Sequence, residues 1–183
     1  MYDLLKNSFL SGPVVDRNGY PYYVNPISDG IPLIEPSLLE EAVDGLLDIC
    51  DFDCDVILAP EAMGIHLAAA VSLKIRIPFN VIRKRRYGLP GELTVVRSTG
   101  YSSGSLYING VKAGDRVAIV DDTLSTGGTM RSIVSVLTEN GIEVTEVGIV
   151  YNKAGDLSKT LPGVNVKALL NVKIEDGKPC LDD

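Results

Sequence analysis

The sequence predicts an α/β fold, a mainly parallel twisted sheet with helices on both faces, and three observations predict it. Short, continuously apolar runs such as Val56-Ile57-Leu58-Ala59 and Val117-Ala118-Ile119-Val120 have the length and character of strands buried on both faces. Segments of helical period follow them, and the connections between the two kinds of segment are short, the pattern of βα units.

Residues 37–50 open with Ser37-x-x-Glu40, a capping-box pattern, and carry Leu38, Leu39, Ala42, Val43, Leu46 and Leu47 at helical spacing, so an amphipathic helix is predicted. Residues 56–59 then read as a strand, Gly64 as a turn, and the Ala-rich residues 65–73 as a helix. Residues 79–82 form the next expected strand. A polar stretch after it reads as a long loop, and residues 101–108 run into Asn109-Gly110, a hairpin-turn signal, which predicts an antiparallel edge hairpin near residues 101–120. Residues 116–120 are a buried strand. Met130, Ile133, Val134 and Leu137 mark one face of a helix ended by Asn140-Gly141, and residues 142–151 and 164–172 supply two more strands. No repeat of solenoid period is present.

At 183 residues the chain is expected to be one domain with a substantial core. A hydrophobic content of 45% and a charged content of 22% suit a globular protein, and a net charge of −7 argues against a general nucleic-acid binder, which needs an excess of Lys and Arg. The first ten residues include Asp3 and Lys6 and form no apolar leader. No apolar run has the length of a membrane span, so a cytosolic location and no membrane partner are expected. Cys50, Cys54 and Cys180 are an odd number with no second Cys pair. With one histidine, His66, they favour reduced thiols over a zinc site. A Ser–His–Asp set would have to use His66, which sits in an apolar helical stretch where packing is the expected role.

The most informative segment is residues 117–130: strand, Asp121-Asp122, a hydroxyl and glycine turn, then helix. Backbone N–H groups of a Gly-rich turn at a helix N-terminus, joined by the Ser125, Thr126 and Thr129 hydroxyls, make a concave donor site for a phosphate. No lysine follows Gly127-Gly128, which excludes a Walker loop, and the G-x-G-x-x-G spacing of a dinucleotide fold is absent. Asp121 and Asp122 would repel a phosphate placed on them, so their partners beside it are hydroxyls or a metal-bound diol. A phosphate with a neighbouring diol is a ribose 5-phosphate. Arg83-Lys84-Arg85-Arg86 is the one dense basic run, and it suits a multivalent anion such as pyrophosphate.

Residues 117–130 resemble the phosphoribosyl pyrophosphate (PRPP) motif of type I phosphoribosyltransferases: an apolar run, two acidic residues, then Thr/Ser-Gly-Gly-Thr. The resemblance implies the type I phosphoribosyltransferase fold with a small hood, contributed here by about residues 1–35 and the C-terminal segment. It also implies that Asp121 and Asp122 are the catalytic, ribose-binding carboxylates, and that Thr123, Ser125, Thr126, Gly127, Gly128 and Thr129 complete the PRPP site. Ala59-Pro60-Glu61-Ala62-Met63-Gly64 is similar to the pyrophosphate loop of adenine phosphoribosyltransferases, and residues 83–92 are similar to their Arg-Lys…Leu-Pro-Gly-Glu mobile loop. Glu61, Ala62, Met63, Gly64, Arg83, Lys84 and Arg86 are thereby implied in pyrophosphate binding. The resemblance covers about residues 20–155. It further implies PRPP and a purine base as substrates, magnesium brought by PRPP and not held by the protein alone, and a homodimer in which part of the mobile loop serves the neighbouring subunit.

In that family pyrophosphate leaves the anomeric carbon through an oxocarbenium-like transition state and a ring nitrogen attacks. The protein then positions, stabilises charge and excludes water. The chain departs from adenine phosphoribosyltransferases at Gly100-Tyr101-Ser102, where they have Glu-Tyr-Gly, and at Met63, where they have Arg. Its overall pattern resembles archaeal hypoxanthine/guanine phosphoribosyltransferases and also bacterial xanthine phosphoribosyltransferases. Resemblance to the latter places Lys153 and Asn25 beside the base, and an ammonium donates to a 6-oxo group. The alternatives are adenine or xanthine as the base, or a PRPP- or nucleotide-sensing regulator without turnover.

Overall fold

The computed structural model describes every residue except Asn18, Gly100, Tyr101 and Asp183. The chain opens with helix α1 (Asp3–Ser11), an antiparallel pair β1 (Val14–Arg17) and β2 (Tyr20–Tyr23), and the single turn α2 (Pro26–Asp29). Helix α3 (Pro36–Ile49), strand β3 (Val56–Pro60), helix α4 (Gly64–Ile75) and strand β4 (Phe79–Ile82) follow. A hairpin, β5 (Leu93–Thr99) and β6 (Ser102–Ile108), precedes β7 (Arg116–Leu124), helix α5 (Gly128–Glu139) and β8 (Glu143–Asn152). Helix α6 (Leu157–Thr160), β9 (Val166–Glu175) and β10 (Lys178–Leu181) complete the chain.

Six strands form one sheet in the order β10-β9-β8-β7-β3-β4, all parallel except β10, which pairs antiparallel with β9 at the edge. Interior strand β7 is apolar at consecutive positions because both its faces are covered. Ala118 and Val120 pack into a core with Leu46 of α3 and Leu67 of α4, while Val117 and Ile119 pack into a second core with Ile133 and Leu137 of α5. Each fully buried Leu or Ile contributes about 1.5–3 kcal/mol of transfer free energy.

The strand order locates the functional end of the sheet. From β3 the chain steps outward to β4, then returns to the other side of β3 as β7 before stepping on to β8 and β9. Connections therefore leave the C-terminal ends of β3 and β7 in opposite directions. They open a crevice of the kind in which open α/β sheets bind ligands.

Three expectations are corrected. The antiparallel hairpin is not near residues 101–120: β6 pairs with β5, from Leu93↔Ile108 to Thr99↔Ser102, and β7 is an interior parallel strand. Residues 93–99 read as part of a polar loop but form β5, in which Val95 is buried and Val96 exposed. Asn109-Gly110 is a bend tied to β4, where Asn80 Nδ2 donates to Asn109 O at 2.6 Å. The third correction concerns α3, which starts one residue earlier than the Ser37 box: Glu35 is the cap residue without a side-chain bond, and Pro36 occupies the first turn, where its missing N–H costs nothing.

Candidate active site at the switch point

A cavity of about 490 Å³ opens at the ends of β3 and β7. One wall is the turn from β7 into α5. Asp121 and Asp122 lie within β7, which continues to Leu124, and Thr123, Ser125, Thr126, Gly127, Gly128 and Thr129 line the cavity after them. Gly127 is the N-cap of α5 at φ +73°, and a Cβ there would stand 2.4 Å from Thr160 Cγ2, so glycine is required both by backbone conformation and by space. The first turn of this 12-residue helix has no side-chain cap and no acidic residue, so its N–H groups and the helix dipole face the cavity unopposed by charge.

Asp121 Oδ1 accepts a hydrogen bond from Asp122 N at 3.0 Å. Desolvation first, and then the adjacent Asp122 carboxylate, hold the Asp121 carboxyl well above the usual carboxylate range. Two carboxylates in this setting gain from an incoming cation or from hydroxyl donors.

The second wall is the loop between β3 and α4. Glu61, Ala62 and Met63 line the cavity, and the Glu61–Ala62 peptide is cis. Gly64 lies behind them: a Cβ there would meet Val120 O at 2.7 Å and Asp121 Oδ1 at 3.1 Å, so this glycine lets the start of α4 press against the carboxylate strand. Arg83 and Lys84 do not line the cavity but meet it through Glu61, with Arg83 Nε 3.0 Å and the Lys84 backbone N 3.4 Å from Glu61 Oε2. Arg86 does not line the cavity, and its Nε lies 3.6 Å from Glu92 Oε1. Glu92 also accepts from Asn109 Nδ2, Tyr87 N and Gly88 N at 3.0, 2.9 and 3.0 Å. These bonds, that of Asn109 foremost, hold its carboxyl below the usual range and fold residues 87–92 into a turn.

The third wall comes from the N-terminal segment and the end of β8. Lys153 lines the cavity, its backbone N–H donates to Leu124 O at 2.7 Å, and its ammonium pairs with no carboxylate among the described residues. Burial pushes the ammonium below its ordinary value. Asn25 is 2% exposed, and its side-chain oxygen accepts from Ser28 N at 3.0 Å, capping α2. Ser28 Oγ lies 3.1 Å from Thr123 Oγ1, which joins this wall to the Asp-Asp turn.

Sequence reasoning leaves the aromatic side of the cavity unassigned. Phe9 of α1 lies 4.2 Å from the Tyr23 ring and 5.3 Å from the Tyr151 ring, centroid to centroid, and all three line the cavity. Tyr151 is readable in retrospect, near the end of β8 and two residues before Lys153, with both lining the cavity. Phe9 carries no such signal. His66 does not line the cavity, its Nε2 is buried without a hydrogen-bond partner, and desolvation lowers its pKa against the opposing pull of Asp122. Of the Gly100-Tyr101-Ser102 departure, Gly100 and Tyr101 lie outside the described residues.

An uncapped helix N-terminus stands beside paired carboxylates at the switch point of a parallel sheet, an arrangement chemically able to receive an anion next to hydroxyl donors or a cation. Residues 36–164 match the phosphoribosyl transferase domain family, and the chain belongs to it. The hypoxanthine/guanine phosphoribosyltransferase of Methanohalophilus mahii is 45% identical over 185 residues, covering 100% of this chain and 97% of its own. That of Methanothermobacter thermautotrophicus is 47% identical over 186 residues, covering 100% and 96%. Among solved structures, adenine phosphoribosyltransferase from Thermoanaerobacter pseudethanolicus superposes with a TM-score of 0.78 at 24% identity, over 93% of this chain and 99% of the other, a likeness of fold. The type I phosphoribosyltransferase architecture expected from the Asp-Asp motif is thus present.

Proposed function

We propose that the chain acts in purine salvage, transferring the 5-phosphoribosyl group of PRPP to hypoxanthine or guanine to give IMP or GMP and pyrophosphate. The observation that carries the choice of base is Lys153, a half-buried ammonium with no carboxylate partner among the described residues, in the cavity that holds Asp121 and Asp122. A donor-only group favours a 6-oxo acceptor over a 6-amino group. The names of the archaeal relatives support the same reading.

In this reading the α5 N-terminus with Ser125, Thr126 and Thr129 holds the 5-phosphate, and Asp121 and Asp122 hold the ribose hydroxyls. Glu61, Ala62, Met63, Gly64, Arg83, Lys84 and Arg86 serve the pyrophosphate, and Asn25 and Lys153 the base. The bond from the anomeric carbon to pyrophosphate breaks with its electron pair on the leaving oxygen, a purine ring nitrogen forms the new bond to that carbon, and the proton on that nitrogen is released. As the carbon becomes cationic, the Asp121–Asp122 pair supplies opposing charge, an incoming cation favouring the ionised form of Asp121 against the burial that raises its pKa. Magnesium brought by PRPP would supply charge neutralisation at the phosphates, with Asp121 and Asp122 as the residues that would help hold it. It prefers substrate phosphate oxygens together with one or two carboxylates, a demand that the Asp121–Asp122 pair fits.

Residues 1–35 and the C-terminal segment form the hood of a single domain in this reading. The protein works in the cytosol as a homodimer, with part of the 83–92 loop reaching the neighbouring site. The test is the rate of nucleotide formation from PRPP and magnesium with hypoxanthine, guanine, xanthine and adenine in turn. A faster rate with adenine than with either proposed base overturns the base assignment. No transfer to any base, with PRPP still bound, points to a sensor.

A further inference from the structure

The cavity wall beside the proposed pyrophosphate position carries a negative charge. Glu61 lines the cavity within the loop that would receive a polyanion, where an uncompensated carboxylate would oppose binding. Its charge is engaged by one cation, Arg83, whose Nε stands 3.0 Å from Glu61 Oε2, and the same oxygen accepts from the Lys84 backbone N–H at 3.4 Å.

Two features show that this is a loose pairing on a firm frame. Arg83 exchanges backbone hydrogen bonds with Tyr107, donating at 2.9 Å and accepting at 2.7 Å, and Glu61 N donates to Ile82 O at 3.0 Å, so both main chains are anchored. The side-chain contact is by contrast poorly aligned: Arg83 Nε is a buried donor without a hydrogen-bond partner despite its closeness to the carboxylate. The Arg83 side chain is 40% exposed and paired with a residue that lines the cavity, so its guanidinium is open to solvent and to an anion arriving beside Glu61. A phosphate oxygen offers the planar fork a better-matched acceptor than Glu61 does.

We propose that Glu61 is a stand-in anion and a positioning residue: it holds Arg83 beside the cavity until pyrophosphate, free or as part of PRPP, takes the guanidinium from it. The inference rests on the phosphoribosyltransferase reading of this loop. Glu61 gives the partly exposed Arg83 side chain its counter-ion, and each binding event must displace it. It therefore weakens the grip on pyrophosphate and speeds its release.

The test is calorimetric titration of the whole protein with magnesium pyrophosphate, without base, for wild type, Glu61→Gln, Arg83→Ala and the double variant. Glu61→Gln keeps size and hydrogen-bonding capacity but removes the competing charge, and it should bind pyrophosphate about three- to tenfold more tightly, the scale of a partly exposed ion pair plus relieved repulsion. Steady-state kinetics should show KM for PRPP and kcat falling together, because product leaves more slowly. With alanine at 83 the Glu61→Gln gain should shrink to the part due to repulsion alone. Glu61→Asp should restore wild-type affinity more closely than Gln does. Unchanged or weaker binding by a folded Glu61→Gln protein overturns the proposal, as does a gain of the same size in the Arg83→Ala background. Failure of wild type to bind magnesium pyrophosphate at all would instead overturn the assignment of the loop.

Discussion

The two sides of the cavity are built in opposite ways. The proposed ribose-phosphate side is one continuous segment, residues 121–129, laid on an interior strand and the first turn of α5. The proposed base side is gathered from α1, the β2–α2 segment and the end of β8, with Phe9 and Lys153 separated by most of the chain. A continuous segment inherits its geometry from the strand and helix it joins, which are buried by the sheet's own cores. An assembled wall depends on side-chain packing between distant elements, so it tolerates change in chemistry more readily and loses geometry more easily.

The sharpest break in this comparison is Asp121→Asn with Asp122→Asn. Turnover should fall about 10³-fold or more, since the variant loses charge directed at the reacting carbon, while the fold persists. Asp121 also gives a pH signature. Its carboxyl is raised above the ordinary value of 3.8 by desolvation and by Asp122, so the folded state holds the proton more tightly than the unfolded chain. The stability associated with that proton is complete below about pH 3.8 and declines as pH rises through the raised value. Asp121→Asn should therefore melt at a higher temperature than wild type, with a difference that grows upward from about pH 4 and then levels off. Equal melting temperatures from pH 4 to pH 8 would remove the burial argument.

The same contrast explains what was legible in the sequence. The β7–α5 segment is readable because its positions have local reasons: apolar where both faces are buried, acidic where the strand meets the cavity, glycine where φ is +73° and Thr160 crowds. The parallel order follows from the βα alternation. Helix α1 is not readable, because its nine residues carry only the Leu5 and Phe9 pair as a buried stripe, and Phe9 acquires its place only against Tyr23 and Tyr151. Strand β5 is hidden because apolar Val96 faces solvent beside buried Val95, which blurs the period-2 signal, and the partners of Arg83 and Arg86 lie at Glu61 and Glu92, which no spacing rule connects to them.

On the assembled side, Phe9→Ala should cost about 3 kcal/mol of stability, at the low end for a buried aromatic because the space it leaves joins an open cavity. Denaturant unfolding measures the loss. KM for the base should rise with little change in that for PRPP, and an equal rise in both would show that the two sides are not separable. Lys153→Ala is a smaller and more selective change. The ratio of kcat/KM for hypoxanthine over adenine should drop about 10- to 100-fold, the range for losing a charged donor to a carbonyl. If the ratio holds, base selection resides in groups other than Lys153.

The smallest expected effect tests the join between the two sides. Ser28 Oγ and Thr123 Oγ1, 3.1 Å apart, form a side-chain bond from the N-terminal wall to the Asp-Asp turn, and Ser28 N is at the same time the donor that Asn25 Oδ1 accepts. A base held near Asn25 and a ribose held by Asp121 and Asp122 are therefore referenced to one another through a single hydroxyl pair. Ser28→Ala removes that bond and leaves the α2 cap intact, since the cap uses the Ser28 backbone N–H. The loss of one neutral hydrogen bond is worth about 1 kcal/mol, or about fivefold in kcat/KM. The informative quantity is the coupling between ligands: wild type should bind the base more tightly once pyrophosphate and ribose 5-phosphate occupy the other side, and Ser28→Ala should lose most of that gain while its affinity for the base alone stays within about twofold. A cycle with Thr123→Val checks the route, because two changes that cut the same bond should together cost no more than either one alone. Additive losses would mean that each hydroxyl serves its own ligand and that the two walls are aligned by the backbone of β7 and β8.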